Sequence, residues 1–147
     1  MTQLSVEDLT AQLQAYLNCL ELCKVLHKQT DEPGVRESLD SLIGDLHEIL
    51  ASLANHLRRR GVAPGTLQLD REGEAQIREV LGTRSLLEQL RVVRRSLTNL
   101  VAWYDKHPSH DQSDPTDRDW LISLSVQAQR MSAEWDQHMR EMRASPF

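Results

Sequence analysis

Cys19, Cys23 and His27 stand at i, i+4 and i+8, so a helix would carry all three on one ridge. Thiolate and imidazole are donors for zinc or for redox metals. A second group lies near the other end of the chain. Trp120, Met131, Trp135, His138, Met139 and Met142 recur at helical spacing, and Glu134 precedes His138 by four residues. Such a group could hold a flat ligand with His138 as axial donor, or serve as an adaptable Met-rich contact surface. Glu134 and His138 could also work as an acid–base pair.

Each group has a plainer reading. Paired cysteines on a ridge serve as small core hydrophobes, and an aromatic stripe at helical spacing packs a core. Structural zinc sites draw their ligand pairs from turns rather than from one ridge. Arg58-Arg59-Arg60 reads as a basic helix end that complements the dipole, and Arg91, Arg94 and Arg95 as a solvated face beside Glu88. His107, His110 and Asp111 form a polar loop that could take up metal adventitiously. No glycine-rich phosphate loop, nucleophile motif or inward-facing carboxylate pair is found.

Four Leu-rich stretches must position these residues. Ser5, with Asp8 three residues on, opens a helix over about 5–29 with Leu9, Leu13, Leu17 and Leu20 as its stripe. Pro33 suits the first turn of a second helix over about 33–60, whose stripe runs from Val35 through Leu39, Leu42, Leu46, Ile49, Leu50 and Leu53 to Leu57, with Ile43 alongside. Gly61 suits its left-handed cap. Ser85 and Glu88 open a third helix over about 85–107, with Leu86, Leu90, Val93, Leu97, Leu100, Val101 and Tyr104 aligned. Asp114-Pro115 opens a fourth over about 115–143, which carries the Trp and Met stripe. Between the second and third, residues 61–84 are too many for a hairpin turn. Asp70 could cap a short helix there that ends at Gly82.

Connector length decides topology. Short first and last connectors make two antiparallel hairpins, and a long middle connector that travels the length of a bundle makes helices two and three parallel. In helix lengths and connector order the chain resembles a small ferritin-like domain over nearly its whole length. The resemblance implies an all-α four-helix bundle with one long, partly helical crossover, as a single domain over 1–147. Members of that superfamily carry inward Glu residues on two helices and Glu-x-x-His on the other two. No Glu-x-x-His occurs here. On a wheel of about 100° per residue, Glu21 and Glu88 fall on polar sides, while Asp45 and His47 flank their stripe. No di-iron centre is therefore expected, and no cofactor.

The formal net charge of −5 argues against nucleic acid as a partner. No apolar run reaches the roughly 18 residues of a membrane span, and the N-terminus lacks a basic stretch ahead of an apolar one. With both cysteines on one helix, a reducing, cytoplasmic setting is expected. The function expected is that of a non-enzymatic helical module with a degenerate metal centre, acting by self-association, as a dimer, or by binding another protein. Trp103, Tyr104, Trp120, Trp135 and Met139 are the expected contact residues, since Trp, Tyr and Met favour interfaces. The competing expectation is a redox or stress protein that binds Fe, Mn or Zn through Cys23, His27, His138 and Glu134. A weaker third is a small apolar ligand at the bundle centre.

Overall fold

The computed structural model describes residues 4–65, 68–109, 112 and 114–144, with the side chains of 143 and 144 excepted. Its regular structure is helical throughout: α1 (Val6–Gln29), α2 (Pro33–Arg59), α3 (Arg71–Leu81), α4 (Leu86–Lys106) and α5 (Pro115–Ala144). Local chemistry sets the ends. Ser5 Oγ accepts from Asp8 N at 3.0 Å, Ser85 Oγ from Glu88 N at 3.3 Å, and Asp70 Oδ1 from Gly73 N at 3.0 Å. At the end of α2, Val62 N donates to Leu57 O and Gly61 N to Arg58 O, both at 3.0 Å. This pair of bonds needs a left-handed residue between them, and Gly61 supplies it with φ of 81°.

Pairs across the helices fix their directions. Gln12 on α1 meets Leu100 on α4, and Leu4 meets Gln112 beyond it, so α1 and α4 are antiparallel. Ser38 meets His138 and Ser52 meets Trp120, so α2 and α5 are antiparallel. Trp135 meets Leu90 while Tyr104 and Leu121 line one hollow, which makes α4 and α5 antiparallel too. His27 and Asp40 pair across the turn joining α1 to α2. It follows that α2 and α4 run the same way. The chain between them must return along the molecule, and α3 lies on that return against α1 and α4.

The α2 stripe is buried as its spacing implies, from Val35 to Leu57, except that Leu50, like Ile43 beside it, is half-buried at the edge of the face. On α1 the outcome differs from the expected stripe. Leu17 is only half-buried, whereas Gln12, Tyr16, Asn18 and Leu22 are inside. The reason is that α3 covers a second side of α1, so one apolar stripe no longer describes what is buried. Tyr16 and Tyr104 share a hydroxyl–hydroxyl bond of 2.7 Å inside the core, and Gln12 Nε2 donates to Leu100 O at 3.2 Å. Among the described residues no Asp, Glu, Lys or Arg is buried, and His56 is the buried imidazole. No helix of the described residues is long and apolar enough to cross a membrane.

Candidate functional site

Residues 131, 134, 135, 138 and 142 of α5 lie three or four apart and form one face. Residues 34, 38, 41, 42 and 45 of α2 do the same. Where the two faces meet, at the end of the molecule near the start of α4, they leave a groove. Its outer hollow, of about 590 Å³, is lined by Leu86 and Met142, by Glu32, Glu37 and Glu141, and by Gly34, Ser38 and His138. A smaller hollow of about 100 Å³ lies next to it, lined by Ser38, Ser41, Asp45, Glu134, Trp135 and His138 among others. His138 borders both.

Packing holds the floor of the groove. Trp135 is 3% exposed, and its Nε1 donates to Leu90 O at 3.0 Å, filling a carbonyl on the neighbouring helix. The His138 ring stands 5.7 Å from that of Trp135, tilted by 49°. Its Nδ1 lies 3.2 Å from Ser38 Oγ, and its Nε2 is buried with no hydrogen-bond partner. A serine beside a histidine has the makings of a nucleophile and base. Ser38 sits inside α2, however, where backbone N–H groups are committed to the helix ladder and cannot form an oxyanion hole. The Ser38–His138 pair therefore lacks the donors that acyl transfer needs.

The four expected metal donors are not brought together. Cys19 and Cys23 are fully buried in the core. The hydrogen bond to Cys19, reinforced by burial, pushes the Cys23 thiol well above its usual range. His27 Nε2 pairs with Asp40 at 2.8 Å, and Glu134 faces Arg130 at 3.9 Å. The described residues contain no group of three or more His, Cys, Asp or Glu side chains placed to hold a metal ion. His107 stacks on Trp103 at 4.2 Å and meets Asp8 at 3.6 Å. His110 and Asp111 lie outside the described residues.

The expected contact residues fare unevenly. Trp135, Met139 and Tyr104 are 3%, 2% and 7% exposed, so the chain's own core takes them and they offer no outward surface. Their stripe faces the other helices because α5 packs on both α2 and α4. Trp103 and Trp120 are half-buried. Trp120 donates to Ser52 Oγ at 2.8 Å and lies flat on His56, with ring centres 4.0 Å apart.

Sequence reasoning missed His56, whose burial depresses its pKa while Asp117 opposes the shift. Its signal was there: His56 continues the seven-residue rhythm of Val35, Leu42 and Ile49. The α2 half of the groove was missed as well. Ser38 and Glu37 carry no local mark, and only the pairing of α2 with α5 gives them a role. Among known proteins, no family model, no curated protein and no solved structure matches the chain.

Proposed function

We propose that the chain is a non-enzymatic helical module of ferritin-like arrangement that works by binding another protein, which enters the groove between α2 and α5. The arrangement is supported by the shared direction of α2 and α4 and by the helical return between them. The binding role is carried by one observation: a hollow of about 590 Å³ lined by the apolar Leu86 and Met142, by Ser38 and His138, and by the carboxylates Glu32, Glu37 and Glu141. An occupant that buries an apolar side chain against Leu86 and Met142 while offering cations to Glu32, Glu37 and Glu141 would satisfy both parts. A partner segment that is amphipathic and basic has that character. A redox role through Cys23, His27, His138 and Glu134 finds no supporting geometry among the described residues.

The test is a fluorescence-anisotropy titration of the full chain against a short Leu/Lys amphipathic peptide and its Leu/Glu counterpart. The Leu/Lys peptide binds, and the charge reversals Glu37→Lys and Glu141→Lys together weaken it by about tenfold or more. Glu74→Lys on α3 alters net charge away from the groove and leaves binding within about twofold. Equal binding of both peptides, or equal loss in the Glu74 control, refutes the groove. Sedimentation over a concentration series tests the occupant: a dimer broken by the two reversals makes it a second copy of the chain.

A further inference from the structure

We infer that the outward face of the first half of α5, centred on Ile122 and Val126, is a self-association surface whose occupant is the same face of a second copy, running antiparallel. The inference does not rest on the groove between α2 and α5, which opens on another side of the helix and nearer its other end.

Exposure singles out the face. Among the described residues three large hydrophobic side chains are exposed: Leu81, Ile122 and Val126, at 54%, 49% and 58%. Leu81 ends α3. Ile122 and Val126 stand one turn apart on α5, and both line a hollow of about 220 Å³ that reaches the half-buried Pro108 beyond α4. Exposed hydrophobics scattered singly are ordinary, whereas neighbouring ones beside a recess gain from being covered.

What flanks the pair decides the occupant. On a wheel of about 100° per residue, Asp119, Ile122, Val126 and Arg130 fall within about 80° of one another. They lie opposite the buried Leu121, Leu124 and Ala128, and Asp119 and Arg130 are both exposed. An acid therefore stands one turn before the apolar pair and a base one turn after it. When a second α5 is laid antiparallel with its Val126 level with Ile122, its Arg130 comes within one residue, about 1.5 Å along the axis, of the level of Asp119. The two-fold repeats each contact. The result is one cluster of four apolar side chains, closed at both ends by an Asp119–Arg130 pair. A parallel pairing would set Asp119 on Asp119 and Arg130 on Arg130, so the charges choose the antiparallel one.

Arg130 can take this role. Its contact with Glu134 is 3.9 Å long with both side chains more than half exposed, so it exchanges readily. A two-fold contact at the α2–α5 groove would instead bring carboxylates onto carboxylates, since Glu32, Glu37 and Glu141 all line it. About three turns of one helix bury less than the roughly 800 Å² per partner of a standard interface. The dimer is accordingly weak, with a Kd of about 10–100 µM.

Sedimentation of the full chain from about 5 to 500 µM reads the association. The parent passes from monomer to dimer over that range. Val126→Asp, checked as folded by circular dichroism, stays monomeric throughout. Asp119→Arg alone and Arg130→Asp alone each set two like-charge pairs across the two-fold and weaken the dimer by about tenfold or more. An equal mixture of those two variants associates again, because two bases on one copy then face two acids on the other. The Glu37→Lys, Glu141→Lys variant dimerises to within about twofold of the parent, which separates this face from the groove. A parent that stays monomeric overturns the inference, and so does a dimer that Val126→Asp leaves intact. A mixture no tighter than its separate components overturns the antiparallel pairing, and with it the choice of a second copy as occupant. A dimer broken only by the Glu37 and Glu141 reversals overturns this face and assigns the contact to the groove.

Discussion

Replacing Gly73 with alanine tests how α3 is docked, and with it the long return that makes α2 and α4 parallel. Gly73 lies in the first turn of α3 and is buried against α1. A Cβ there would meet Asn18 Oδ1 at 2.5 Å, Asn18 Cγ at 2.7 Å and Leu69 Cδ2 at 2.8 Å. Asn18 cannot swing away freely, because it is 5% exposed and doubly bonded: Nδ2 donates to Asp70 Oδ1 at 2.8 Å and Oδ1 accepts from Gln14 Nε2 at 3.0 Å. Displacing it forfeits both bonds, at about 1 kcal/mol each. Overpacking adds about 1 kcal/mol of strain at the low end of its range. Alanine's better helix propensity returns about 1 kcal/mol.

The net expectation for Gly73→Ala is a loss of about 2 kcal/mol, or a fall in melting temperature of about 6 °C. Urea unfolding followed by circular dichroism measures it. In an Asn18→Ala background only the approach to the flexible end of the Leu69 side chain remains, so the loss of two hydrogen bonds drops out and the same substitution becomes about neutral. A single Gly73→Ala variant more stable than the parent would refute the reasoning. So would an equal loss with and without Asn18.

Three other expectations follow from the buried polar groups. Tyr16→Phe and Tyr104→Phe each orphan the other hydroxyl and lose about 1–2 kcal/mol, whereas the double variant loses less than the two singles combined in a denaturant cycle. Because burial holds the pKa of His56 below its unfolded value, the unfolded chain binds its proton first; stability is full above the unfolded pKa of about 6.5 and falls as pH drops below it. His56→Gln should flatten that part of the stability–pH curve relative to the parent, and an unchanged slope would contradict the assignment. Cys19 and Cys23, both fully buried, should resist a thiol reagent in the native state and react only as fast as the chain opens; rapid native labelling would count against the packing around them.

Where the helices begin and end is written in the local sequence. Ser5, Asp70 and Ser85 accept from N–H groups three residues on, and Gly61 turns the chain out of α2, so these features need no knowledge of the rest of the fold. The α2 stripe was equally plain, since that helix buries one face. What lies inside α1 was decided by tertiary structure. Gln12, Tyr16 and Asn18 are buried because α3 and α4 close over a side that the Leu pattern leaves unmarked. The candidate site divides in the same way. His138 and Glu134 share a helical face and could be paired from spacing alone. Ser38 and Asp45 joined them only when α2 was laid against α5, across roughly ninety to a hundred positions of chain that no short-range periodicity spans. Exposure belongs to the same class of property: Trp135 and Met139 were read as contact residues from their type, but whether a stripe faces solvent or a neighbour depends on which helices pack against it.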